Sequence, residues 1–109
     1  MTENIYLHQS DVGTEILITV LDFRTNLVVD LSSASTIKFL FQDPDGNTFS
    51  RDGELYTDGL DGIVKYKTVE GDIDQSGKWE MQCYVTTSNG TYYTRKTALK
   101  VYSVIEVDD

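Results

Sequence analysis

From Lys78 to Thr87 the chain alternates without interruption. Trp79, Met81, Cys83 and Val85 fall on one side, and Lys78, Glu80, Gln82, Tyr84 and Thr86 on the other. Successive side chains of an extended chain point to opposite faces, so this segment reads as a strand with one face in a core. The same pattern recurs at short intervals, broken each time by Gly, Asp or Asn. Many short alternating runs with frequent turns specify a sandwich or barrel, and no segment carries the 3.6-residue period of a helix.

The runs are readily placed. A short strand covers Asn4 to Leu7, and Asp11-Val12-Gly13 is a turn. Thr14 to Asp22 has Ile16, Ile18 and Val20 on one face, while Leu17, Thr19 and Leu21 make the other only partly polar. Leu27 to Leu31 is a short extended piece. Thr36 to Gln42 sets Ile37, Phe39 and Phe41 against Lys38, Leu40 and Gln42, and Thr48 to Arg51 returns after the turn Asp43-Pro44-Asp45-Gly46-Asn47. Pro and Gly supply the backbone angles that this turn needs. Leu55 to Thr57 and Ile63 to Thr68 flank the loop Asp58-Gly59-Leu60-Asp61-Gly62. Asn89-Gly90 closes a hairpin between Lys78–Thr87 and Thr91–Lys96, and Ala98 to Val107 finishes the sheet. The reading is an all-β, immunoglobulin-like antiparallel β-sandwich of about 7–9 strands, a single domain over residues 1–109. Before Trp79, the corner Asp74-Gln75-Ser76-Gly77 resembles the approach to the penultimate strand of such domains, with Trp79 in the place of the corner tyrosine and Met81 where a disulfide cysteine would stand.

Composition narrows the function. The formal charge is -9, from 18 acidic and 9 basic residues. That excludes ordinary phosphate-backbone binding and disfavours anionic lipid, so neither nucleic acid nor a membrane is an expected partner. Cys83 is the only cysteine, so no internal disulfide forms. No apolar run approaches the roughly 20 residues of a membrane span, and Met1-Thr2-Glu3-Asn4 lacks the start of a signal peptide. The expectation is a protein made in a cytoplasm.

No constellation of catalytic residues emerges. His8 is the only histidine, there is no Gly-x-Ser-x-Gly elbow, and Cys83 falls in phase with core residues. Two Cys or His residues cannot build a usual zinc site. Asp43, Asp45, Asp58, Asp61, Asp72 and Asp74 raise the question of calcium, but capping of their own turns accounts for them. The sequence therefore predicts no enzyme, no cofactor and no metal. The informative residues are apolar ones on faces that should be wet. Leu40, Tyr84 and Tyr102 are out of phase with their strands' core positions, and Tyr93 and Val104 extend the set. These five form the expected protein interface.

The ordered turn motifs carry a resemblance. Asp11-Val12-Gly13-Thr14, Asp30-Leu31-Ser32-Ser33-Ala34, Pro44-Asp45-Gly46, Thr57-Asp58-Gly59-Leu60-Asp61-Gly62 and Asp72-Ile73-Asp74-Gln75-Ser76-Gly77-Lys78-Trp79 span nearly the whole chain. Together they resemble the immunoglobulin-like N-terminal domain of phage baseplate upper proteins and related tail-fibre proteins. That resemblance implies a virion structural protein, a docking or adaptor domain at the tail, baseplate or fibre attachment. It implies several copies per particle, with other virion proteins as partners and homo-oligomers among them. The competing readings are a capsid decoration protein and a carbohydrate-binding module.

Overall fold

The structure, a computed structural model, describes residues 4–22 and 24–104. Nine strands form among them: β1 (Asn4–His8), β2 (Glu15–Thr19), β3 (Thr36–Gln42), β4 (Thr48–Asp52), β5 (Glu54–Leu55), β6 (Ile63–Lys67), β7 (Gly77–Thr87), β8 (Gly90–Tyr93) and β9 (Thr97–Tyr102). They make two sheets. The larger runs β1-β9-β7-β3-β4, with β8 also paired to β7, and the smaller runs β2-β6-β5. All pairings are antiparallel except β1 with β9. This is an immunoglobulin-like order, with β3, β7 and β9 in the places of strands C, F and G in one sheet and β2, β6 and β5 in those of B, E and D in the other.

The inward residues of both sheets meet in one core. Phe39, Phe41, Trp79, Met81, Cys83, Val85 and Leu99 come from the larger sheet, and Ile16, Ile18, Val64 and Tyr66 from the smaller. Phe39, Cys83, Val85, Val64 and Leu99 are completely buried, as their alternation requires. The Trp79 indole Nε1 donates to the Gln75 carbonyl at 3.0 Å, so the corner before β7 is closed by tryptophan.

Several segments depart from the expected strands: Thr14 to Asp22 is strand only over Glu15–Thr19, and Thr91 to Lys96 stops at Tyr93. Leu27 to Leu31 does not join a sheet; Leu21 and Val28 make one isolated bridge, and Val29 and Leu31 are buried with the core. Leu55 to Thr57 pairs only over Glu54–Leu55. The last strand stops at Tyr102, and 105–107 of the expected strand lie outside the described residues. Its partner β1 ends at His8, where Ser10 turns with φ of 71° and takes the chain away.

The turn motifs are capped locally. Asp30, Asp43, Asp58 and Asp61 each accept a backbone N–H two residues on, from Ser32, Asp45, Leu60 and Ile63 at 2.9–3.0 Å. Gly59 has φ of +93°, and a Cβ there would lie 2.7 Å from the Leu31 backbone. This position therefore requires glycine.

One buried charge joins the sheets. Asp72, almost fully buried, accepts from the Tyr66 hydroxyl of β6, from Arg51 Nε of β4 at 2.9 Å and from the Val69 N–H at 3.0 Å. Burial and the bond to Asp72 push the Tyr66 phenol from 10.0 up to about 12. Burial likewise lifts the Cys83 thiol from 9.0 to about 12.

Asp72→Ala leaves a guanidinium, a hydroxyl and an amide without their acceptor, and should cost about 3 kcal/mol in a urea denaturation. Both raised groups stay protonated longer in the folded chain than in the unfolded one. Their stabilisation is complete below pH 9 and is lost as pH rises through about 12, because the unfolded chain releases those protons first. The urea midpoint should therefore fall across that window, and Cys83→Ala should flatten the part of the fall that begins near pH 9.

Candidate functional site

The outer face of the larger sheet can be mapped from its register. One row crosses β8, β7, β3 and β4 as Tyr93, Tyr84, Lys38 and Asp52. The next holds Gln82, Leu40 and Ser50, and the next Ala98, Glu80, Gln42 and Thr48. A further row holds Tyr6, Lys100 and Lys78, and the last pairs His8 with Tyr102.

Four of the five expected interface residues lie on this face. Leu40 and Tyr84 are half-buried, while Tyr93 and Tyr102 are 55% and 50% exposed. Tyr84 and Tyr93 pack with ring centroids 5.1 Å apart. Tyr102 is not beside them. Seven residues of β7, at about 3.3 Å each, separate the row of Tyr84 from Gly77, and Tyr102 lies just beyond Gly77's partner Val101. The apolar set is therefore two clusters and not one continuous patch. Val104 follows the end of β9 in irregular chain and does not extend the sheet. Leu17 is on the outer face of the smaller sheet, and Leu21 is at the bridge.

Between the clusters lies a trough of about 410 Å³ with Leu40 among its lining residues. Gln42, Ser50, Glu80, Gln82 and Lys96 surround it. A bulge builds its far wall. Tyr84 pairs with Tyr93 and Met81 with Thr97, so three steps along β7 face four steps along the other strand. The extra residue breaks one long strand into β8 and β9. Thr94 repairs the ladder: its hydroxyl accepts the Cys83 N–H at 2.9 Å, its N–H donates to the Cys83 carbonyl at 2.9 Å, and its own carbonyl accepts Gln82 Nε2 at 2.8 Å. Such bulges redirect side chains at functional edges. Here the bulge brings Lys96 to the trough, and its bond fixes the Gln82 carboxamide.

The cluster at the other end was missed by sequence reading. Tyr6 and Tyr102 stack with centroids 6.3 Å apart, and the His8 ring lies 6.0 Å from Tyr102. Lys100 Nζ lies 5.9 Å from the Tyr6 centroid. Lys78 and Lys100 are directly opposite each other on adjacent strands. Neither forms an ion pair with a described carboxylate. The alternation of Tyr6 and His8 against Ile5 and Leu7 was the available signal, but the pairing of the first strand with the last is not written in local sequence.

The other candidate chemistries are separated by geometry. Cys83 points into the core, while His8 stands on the outer face. Asp58 and Asp61 share the Thr57 hydroxyl as donor, at 3.4 and 2.6 Å. Among the described residues, no group of three or more His, Cys, Asp or Glu side chains could hold a metal ion. Among the described residues, no helix is long and apolar enough to cross a membrane.

The architecture is a β-sandwich of immunoglobulin-like order. No family model matches the chain, and no curated protein matches it. Among solved structures it is similar to CopC from Methylosinus trichosporium OB3b, with a TM-score of 0.56 and 10% identity over 96% of this chain and 89% of that one. At that identity the likeness shows the fold. It also corrects the expected kinship with phage baseplate upper proteins, because the similarity found is to CopC instead. The turn motifs that suggested that kinship are capped aspartates and required glycines, which any sandwich with these turns can share. The virion reading, its tail, baseplate and fibre placements, and its capsid-decoration and carbohydrate-binding alternatives are withdrawn on this finding.

Like charges directly opposite on neighbouring strands are destabilising. Lys78→Glu converts that contact into an opposite-charge pair and should raise stability by about 0.5 kcal/mol, seen as a higher urea midpoint. An unchanged or lower midpoint would mean that Lys78 and Lys100 do not repel in the folded chain.

Proposed function

We propose that this chain is a recognition domain without catalytic activity, and that it binds an extended polypeptide segment across the outer face of its larger sheet. The observation that carries this is the trough itself. Leu40 gives it an apolar contact, and around it stand Gln42, Gln82 and Ser50, groups that both donate and accept. A peptide backbone offers one donor and one acceptor per residue, which such groups match. The trough crosses β4, β3 and β7 to the bulge, about 15 Å at 4.8 Å per strand, the length of roughly four extended residues. Exposed tyrosines at both ends of the face add apolar area with polar tips, a residue type enriched at protein contacts. The rigid sheet beneath holds these groups in place before a ligand arrives, which lowers the cost of binding.

The test is a selection from a short random peptide array, with binders mapped by amide shifts in the ¹⁵N-labelled domain. Shifts should concentrate on Leu40, Gln82 and Thr94–Lys96. Leu40→Ser should weaken those binders about tenfold by removing the apolar contact, with little change in the urea midpoint because Leu40 lies outside the core. Binders that map to the smaller sheet or to the loops would overturn the proposal, and so would an array with none.

A further inference from the structure

The outer face of the larger sheet has the wrong charge for this molecule. The chain carries 18 acidic residues against 9 basic ones. Its six lysines are Lys38, Lys65, Lys67, Lys78, Lys96 and Lys100. Four of them stand on this one face or at its trough, while its paired strand positions bring only Asp52 and Glu80. Lys38 is neutralised by its ion pair with Asp52. On the smaller sheet, Lys65 and Lys67 sit opposite Glu54 and Glu15, the opposite-charge pairing expected where charge serves stability. Lys78 and Lys100 break that rule. They face each other across the β7–β9 ladder, where an acid on either strand would have made an opposite-charge pair.

Exposed aromatic rings stand in and beside the row of this like-charge pair. Tyr6 is 58% exposed and stacks on Tyr102, also exposed, with His8 against it. Lys96, brought in by the bulge, lies at the trough on the same face. The Lys100 ammonium lies 5.9 Å from the Tyr6 centroid, and Lys78 follows in the same row, an arrangement suited to a carboxylate whose neighbouring carbons lie on the rings.

From this arrangement we infer that the polypeptide bound by this face is acidic, with Lys78 and Lys100 holding its carboxylates and Tyr6 and Tyr102 covering the adjacent chain. The inference rests on the proposed peptide-binding role of the Leu40 trough and names the class of ligand. Charge complementarity selects it. The rest of the domain is strongly acidic and repels such a ligand everywhere else, so the local cations also set the register in which it lands.

Two degenerate peptide libraries separate the two readings. One alternates Glu or Asp with random residues, and the other carries Gln or Asn at the same positions. Binding of fluorescent pools to the whole chain is followed by anisotropy at low and high salt. The acidic pool should bind at least about tenfold more tightly than the amide pool, and the advantage should shrink as salt rises. Lys78→Glu should abolish the advantage in a domain that is at least as stable as the parent, so a folding defect cannot mimic the result. Lys100→Gln, which removes a charge without adding one, should reduce it in part. Equal binding of the two pools, with Leu40→Ser still weakening both, would overturn the acidic preference and leave the trough standing. Failure of both pools to bind would overturn both.

Discussion

A single carboxylate ties this molecule together. Asp72 is the only charged side chain buried among the described residues, and it takes hydrogen bonds from both sheets at once. Tyr66 reaches it from the smaller sheet and Arg51 from the edge strand of the larger, while the chain that carries it turns the corner into β7. A buried charge is tolerated only when its lone pairs are filled, and here three donors fill them. The arrangement fixes how the sheets face each other. It also draws Arg51 over the Phe49 ring, 4.6 Å from its centroid, and onto the Ser50 carbonyl at 3.0 Å. Part of the free edge of β4 is thereby covered, which is how sandwiches avoid pairing edge to edge.

With the sheets locked from within, the outer face of the larger one lies outside the shared core. One pair on it, Lys78 opposite Lys100, works against stability. Proteins accept such local costs where a surface must meet something else. The face is also stiff, because β7 is paired along both of its sides.

The core was legible in the sequence because period-two alternation is a direct consequence of strand geometry. Trp79, Met81, Cys83 and Val85 point inward as their spacing demands, and Leu40, Tyr84, Tyr93 and Tyr102 point outward for the same reason. What alternation cannot convey is lateral distance. Tyr84 and Tyr102 share a face yet belong to separate clusters, because position along a sheet depends on register between strands far apart in sequence. The bulge at Thr94 was hidden too, since a one-residue slip leaves each flanking run looking regular. The phage kinship failed for another reason. It rested on Asp- and Gly-rich turns, and these are dictated by capping and by positive φ, constraints common to unrelated sandwiches.

The parallel pairing of β1 with β9 has an effect on timing. Ala98 and Asn4 are neighbours in space although 94 positions apart along the chain. Tyr6 therefore meets Tyr102 and Lys100 only after the final strand has been synthesised and docked. Contacts this remote form late and slowly, since the loop they close must first be collapsed. A half-folded molecule thus displays the trough without the Tyr6–Tyr102 stack, and only a chain that has closed its first strand onto its last presents the whole of the face proposed to bind.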